Sequence, residues 1–290
     1  MSNSKPISFH TASAEMVILS ATGDRAINQD RADVFSFNDV ITLALADGMG
    51  GHPRGEVAAE IFINCTRLLL RKYAKGTFSA EKFMPDLMQM AHQKILEYGR
   101  KQFPRVDPRT TCVIVSVYDN HMQWSHLGDS RTYLFRHDRA HLRTLDHTQV
   151  EMQRLKGELE NDDSQSVASG RSGVTRCLGS TRDPENIRVT PPSSLKKNDI
   201  VLLCTDGIWS QLQQQQLEAI MLQPDKDLPS VITDLVETAV AAGKGRSDNA
   251  TALAMRWLAD DKTDTVQPTV DSDDLQAAVE QLQTLIDKYN

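Results

Sequence analysis

The stretch Val40-Ile41-Thr42-Leu43-Ala44-Leu45-Ala46-Asp47-Gly48-Met49-Gly50-Gly51 places six apolar residues in the seven before its acid. The run is short and bounded by glycines, the pattern of a buried strand and not of a long helix. It ends on Asp47, and an unpaired buried carboxylate costs on the order of several kcal/mol. Gly48, Gly50 and Gly51 then permit a tight turn or a close approach. A rigid strand that delivers an acid into a glycine turn is one way to hold a metal ligand. Taken alone, Asp-Gly after a strand is more often a simple turn. Recurrence changes the weighing, because residues 199–207 again run from an apolar strand into Asp206-Gly207. Two hard oxygen donors on two strand ends can face each other across a pair of sheets.

Outward from this stretch the hydrophobic period switches between two and 3.6 residues. Strands are expected over 16–20, 33–37 and 40–46, then helices over 55–73 and 79–100. Strands return over 111–118, 122–127, 131–136 and 140–145, followed by a short helix over 148–156. Strands over 187–190 and 200–205, helices over 211–222 and 228–242, and a last strand over 250–258 complete the pattern. Strand group, helix pair, strand group, helix pair implies an α+β fold: a two-sheet, mostly antiparallel core with helices outside. The catalytic domain is expected over 14–258, after a loose N-terminus over 1–13. Residues 157–173 are polar and read as a surface flap, and 259–271 as an acidic linker. Leu275, Leu282 and Tyr289 recur at helical spacing, so 272–290 reads as an amphipathic helix that docks on its own domain or on a partner.

The chain has 290 residues, 40% of them apolar, enough for a substantial core. Its net charge of −7 argues against a nucleic-acid surface, which needs a basic face. Cys65, Cys112, Cys177 and Cys204 lack zinc or disulfide spacing and read as core thiols. The N-terminus has no apolar signal region, and no run approaches the ~20 apolar residues that span a bilayer. The expectation is a soluble, cytoplasmic protein that touches neither membrane nor nucleic acid.

Five aspartates sit at structural breakpoints: Asp30, Asp47, Asp129, Asp206 and Asp248. Carboxylates without histidine or cysteine partners select hard cations, Mg²⁺ or Mn²⁺. Such a cluster would repel itself, so cations are required by its electrostatics. Two ions of this kind can activate a water and clamp an in-line displacement at phosphorus. A substrate phosphate also needs a fixed cation, and Arg25, in the loop of Asp30, is the natural guanidinium fork. By itself Arg25 would more often be a solvated loop charge.

Arg25-x-x-Asn28-Gln29-Asp30, Asp47-Gly48-Met49-Gly50-Gly51, Thr110-Thr111, Gly128-Asp129-Ser130-Arg131, Asp206-Gly207 and Ser247-Asp248-Asn249-Ala250-Thr251 occur in this order. Together they resemble the motifs of metal-dependent protein phosphatases of the protein phosphatase 2C type, in its bacterial branch. The resemblance implies an αββα sandwich and hydrolysis of phosphoserine and phosphothreonine on proteins at a binuclear Mn²⁺/Mg²⁺ centre. It implies that Asp47 bridges both metals, that the Gly48 carbonyl serves the second, and that Asp206 and Asp248 hold the first. Asp129, with Asp206, would hold a weaker third ion. Asp30 would position the attacking water and Arg25 the phosphate. The flap over 157–173 would sense the substrate, and a cognate bacterial Ser/Thr kinase system would be the partner. Met49 stands where some relatives, chiefly eukaryotic, carry a histidine. His52 is therefore a candidate proton donor, against the plainer reading of a turn histidine, and water is the alternative.

Other signals weigh less. Residues 243–247 lack the strand–loop–helix setting of a P-loop, and Ser130 lacks the surroundings of a nucleophile. The competing reading from another class is a non-catalytic phosphoprotein-binding scaffold of the same fold; the intact Asp47, Asp206 and Asp248 speak against it.

Overall fold

The computed structural model describes residues 5–157, 173–182, 184–223 and 226–260. The expected tail helix, nearly all of the linker and all but the ends of the flap lie outside the described residues. The elements in chain order are β1 (Ile7–His10), β2 (Ala14–Ala21), β3 (Asp30–Phe37), β4 (Val40–Asp47), α1 (Gly55–Tyr73) and α2 (Ala80–Lys101). Then come β5 (Cys112–Tyr118), β6 (His121–Leu127), β7 (Arg131–Arg136), β8 (Arg139–Arg143), α3 (Gln149–Leu155), β9 (Ser193–Ser194) and β10 (Ile200–Cys204). The last are α4 (Asp206–Trp209), α5 (Gln214–Met221), α6 (Leu228–Ala242) and β11 (Ala250–Trp257).

Two antiparallel sheets form, in the orders β1-β2-β11-β10-β7-β8 and β3-β4-β5-β6-β9. Side-chain alternation shows how they stack. In β4, Leu43 and Leu45 face the first sheet, where they meet Val201, Leu203 and Leu253. Ala44 and Ala46 face the other way, against Phe62 of α1 and Met84 and Met88 of α2. β11 repeats the arrangement, with Leu253 and Met255 between the sheets and Ala252 and Ala254 against α6. Small residues outward let the helices approach, and large ones inward fill the gap between sheets. Both faces are buried, so these strands show no polar alternation. Truncating a leucine in this layer to alanine would cost about 2–5 kcal/mol. The result is the expected four-layer αββα sandwich.

Boundaries differ at a few places. Residues 1–13 are not uniformly loose, because Ile7–His10 pair with β2, Ile7 opposite Ile18. This edge strand is mostly exposed, so no burial pattern marks it. Residues 187–190 lie along the sheet edge without becoming a strand. Thr190 exchanges bonds with Trp124, and Ser125 Oγ donates to the Arg188 carbonyl. Pro191 and Pro192 lack amide donors and delay regular pairing until Ser193–Ser194. The helix expected over 211–222 starts at Gln214, capped by a reciprocal Gln213–Gln216 box. All four cysteines are free and buried. No helix among the described residues is long and apolar enough to cross a membrane.

Candidate active site

The antiparallel register of β3 and β4 sets Asp30 directly opposite Asp47. The backbone of Asp47 is clamped by the two residues just before β5: its N–H donates to Thr111 Oγ1 at 3.1 Å, and its carbonyl accepts from Thr111 N at 2.9 Å and Thr110 Oγ1 at 2.8 Å. In the other sheet β10 ends at Cys204, and Asp206 opens the one-turn helix α4. The glycines that follow the two acids have the same task. A Cβ on Gly48 would lie 2.4 Å from the Gly55 carbonyl carbon, and one on Gly207 would lie 2.0 Å from the Asn249 oxygen. Only glycine admits these backbone approaches.

The loop carrying Arg25 is stitched to the segment carrying Asp248. Asp24 Oδ2 accepts from Ser247 N at 2.8 Å and Ser247 Oγ at 2.7 Å. Asn249 accepts from Gln29 N at 2.9 Å and donates to the carbonyls of Thr22 at 2.8 Å and Ile27 at 3.1 Å. These bonds deliver Arg25 to Asp248, with Nη2 donating to Oδ2 at 2.7 Å.

Asp47, Asp129, Asp206 and Asp248 line one cavity of about 630 Å³, with Arg25 and Gly48 in its wall. Asp30 stands behind Asp47 and is 3% exposed. Its Oδ2 accepts from Thr251 Oγ1 at 2.7 Å and Thr205 Oγ1 at 3.0 Å, tying the sheets together. Its Oδ1 is buried with no partner among the described residues.

The electrostatics follow from this crowding. Burial, opposed by the two threonine hydroxyls and aided by Asp206 and Asp248, pushes Asp30 up to about 7. Burial pushes Asp129 up to about 7, with Asp206 and Asp146 adding to it. Asp206 rises to about 6 through burial and Asp248, held back by a hydrogen bond from Asp47 and the Gly207 amide. Asp47 rises well above the usual carboxylate range, through burial and then through Asp30, Asp206, Asp129 and Asp248.

Among the described residues no three acidic, histidine or cysteine side chains close on one point as a finished metal cage does. The donor set nevertheless fits hard divalent cations. It is all oxygen, its carboxyls are destabilised as anions by burial and by one another, and Asp30 Oδ1 is an unpaired buried acceptor.

The structure thus brings Arg25, Gly48, Asp47, Asp129, Asp206 and Asp248 to one cavity, with Asp30 immediately behind. It does not bring His52 there. His52 Nδ1 faces Asp107 at 3.6 Å, and the cavity wall holds Met49, Gly50 and Gly51 instead. Sequence reading assigned no role to Thr205, Thr251, Asn249 or Trp209. Trp209 lines the cavity and stacks under Arg131, 3.6 Å from guanidinium carbon to ring centroid. Arg131 is held in turn by Asp146 at 2.8 and 2.6 Å. The available signal was spacing: Trp209 is one helical turn after Asp206, and Thr205 and Thr251 flank the acid-bearing segments.

The sequence profile described as protein phosphatase 2C matches residues 20–246. A serine/threonine phosphatase, stp, of Listeria innocua is 28% identical over 232 residues, covering 78% of this chain and 88% of that one. The structure of the S. agalactiae serine/threonine phosphatase superimposes with a TM-score of 0.71 at 27% identity, covering 84% of this chain and 99% of that one. The catalytic domain of the phosphatase PstP, solved with 2 manganese ions, shares the fold at a TM-score of 0.69 and 23% identity, covering 85% and 99%. The chain belongs to the protein phosphatase 2C family, as a serine/threonine protein phosphatase of its bacterial branch.

Proposed function

We propose that this phosphatase hydrolyses phosphoserine and phosphothreonine esters on proteins at a centre of two Mn²⁺ or Mg²⁺ ions, reversing the action of a Ser/Thr kinase. The observation that carries the reading is the single cavity shared by Asp47, Asp129, Asp206 and Asp248, with the Arg25 guanidinium in its wall. The two manganese ions of the PstP structure agree with that donor set. Asp47 would bridge the ions, the Gly48 carbonyl would serve one, and Asp206 and Asp248 the other. Asp129 with Asp206 would hold a weaker third. When bound, such ions supply activation of water and charge neutralisation at phosphorus.

The chain's own residues do the rest. Arg25 spends one N–H on Asp248 and keeps further donors of its planar fork for phosphate oxygens. The Asp248 bond fixes the guanidinium before substrate arrives, which lowers the entropic cost of phosphate binding. Asp30 has one oxygen pinned by two hydroxyls, so its free Oδ1 is the atom that orients the attacking water. His52 faces Asp107, so water supplies the proton to the leaving serine or threonine oxygen.

The test is phosphate release from a phosphothreonine peptide with Mn²⁺, with chelator, and with Asp206→Ala. Release that needs both the cation and Asp206 is expected. A folded, Mn²⁺-binding protein that releases none would instead be a phosphoprotein-binding scaffold.

A further inference from the structure

The molecule has a second cavity, about 680 Å³, as large as the aspartate cleft and opposite to it in charge. Its wall includes Arg176, Arg182, Arg188, Glu185, Ser180 and His147. Among the described residues three guanidinium groups stand against one carboxylate in this wall, on a chain whose net charge is −7. Arg176 is oriented by donating Nη2 to the backbone carbonyls of Glu185 and Asn186, and it pairs with no carboxylate among the described residues. Burial and then the neighbouring Arg188 act against its charge. Arg182 and Arg188 have no side-chain hydrogen bond or ion pair among the described residues. His147 adds no charge: its Nδ1 accepts from Gly128 N at 3.2 Å, and burial holds it neutral, down to about 3. Its remaining N–H is a neutral donor.

The two cavities adjoin. Val174 lines the aspartate cleft, and Thr175 and Arg176, the next residues, line the basic cavity. This rim is fixed. Thr175 donates N–H and Oγ1 to the His147 carbonyl at 2.8 and 3.0 Å, and Leu178 N donates to the Thr110 carbonyl at 2.9 Å. Thr110 in turn bridges to Gly48. One extended polypeptide crossing Val174–Arg176 would have one residue at the aspartates and another at the arginines. Three guanidinium groups in one wall, that of Arg176 oriented by backbone carbonyls, are suited to a dianion, for which the fork geometry is matched.

We propose that the Arg176–Arg182–Arg188 cavity is a second anionic subsite, binding another phosphate ester on the polypeptide whose first phosphate is being hydrolysed. The proposal rests on the phosphatase reading above and extends it to a substrate class: proteins phosphorylated at neighbouring positions.

The experiment uses phosphothreonine peptides that carry, on either side, a non-hydrolysable phosphonate analogue of phosphoserine, or serine as control. Separations of about two to six residues cover a short extended peptide at ~3.3 Å per residue. At the best separation KM should fall roughly five- to tenfold with kcat unchanged, as charge-assisted bonds to partly exposed groups give, and the gain should shrink in high salt. Arg182→Ala/Arg188→Ala should abolish the gain and leave turnover of p-nitrophenyl phosphate unchanged. Equal KM at every separation, or a gain that survives in the variant, overturns the proposal. Fluorescence anisotropy with the same peptides in chelator separates the two readings. Preferential binding without turnover would sink the catalytic reading and keep the subsite; turnover without preferential binding would do the reverse. If inorganic phosphate alone protects the wild type and not the variant from heat, with no peptide preference, the cavity takes a free anion and the proposal fails.

Discussion

Asp47-Gly48 and Asp206-Gly207 are nearly the same short sequence, and the fold uses them differently. Both acids follow buried strands, and both glycines yield to a crossing backbone. Asp47 is clamped from behind by Thr110 and Thr111 and surrounded by four other carboxyls, with Asp30 opposite it in the ladder. Asp206 opens a helical turn, where the Gly207 amide and a hydrogen bond from Asp47 relieve it. Asp206 is therefore pushed only to about 6, while Asp47 goes well beyond the carboxylate range. Identical local sequence gives unequal electrostatic load, because the load comes from neighbours across space.

The largest expected effect tests what the two acids share. Asp47→Asn and Asp206→Asn should each lower metal-dependent phosphate release by at least ~10³-fold, since each removes an anionic ligand from the cations that would neutralise charge developing at phosphorus. Near-wild-type release from either would break the assignment of that acid. Arg25→Ala comes next. It should raise KM for p-nitrophenyl phosphate roughly tenfold to a hundredfold, the worth of a charged hydrogen bond, and Arg25→Lys should recover only part of it.

Stability sharpens the contrast. In chelator, Asp47→Asn should raise Tm by about 2–4 °C, the equivalent of ~1 kcal/mol for a chain of this size. Asp206→Asn should raise it less, because the Gly207 amide and the Asp47 bond already relieve Asp206. The reverse order in a thermal melt would refute the unequal load.

pH dependence gives the same test another handle. Asp30 and Asp129 at about 7 and Asp206 at about 6 keep protons in the folded state that the unfolded chain, near 3.8, has released. At these carboxyls the native state binds more protons than the unfolded one, so in chelator the stability of the wild type relative to Asp30→Asn/Asp129→Asn should fall as pH rises from about 4 to 7, a comparison in which the opposite contribution of the buried His147 cancels. Saturating Mn²⁺ should flatten that slope; a chelated wild type that gains stability relative to the variant across this window would contradict the raised carboxyls. The smallest effect is expected for Thr251→Val, which removes one of the two hydroxyls on Asp30 and should cost ~1 kcal/mol in chemical denaturation.

Much of this was legible along the chain. β4 and α1 stood out because apolar period and glycine punctuation are local properties, and residues 55–73 coincide with the helix Gly55–Tyr73. The short edge strand Ile7–His10 was not legible, since its exposed residues carry no burial pattern and its partner is supplied by β2. The irregular segment before Ser193–Ser194 was equally hidden, because a strand-like composition cannot reveal where donors are missing at a sheet edge.

The sequence by itself determined an α+β chain with a two-sheet core and helices outside, through strand and helix periods, and which aspartates sit at strand ends and loop turns. Only the tertiary structure decided which of them share a cavity, that His52 turns to Asp107, and that Thr205 and Thr251 brace Asp30 from the other sheet. The reason is range. Periodicity and turn chemistry act between covalent neighbours, whereas a carboxyl's pKa and its hydrogen-bond partners depend on residues that lie far away in the chain. Thr251 and Asp30 are separated by 221 positions and meet at 2.7 Å only because two sheets stack at one register.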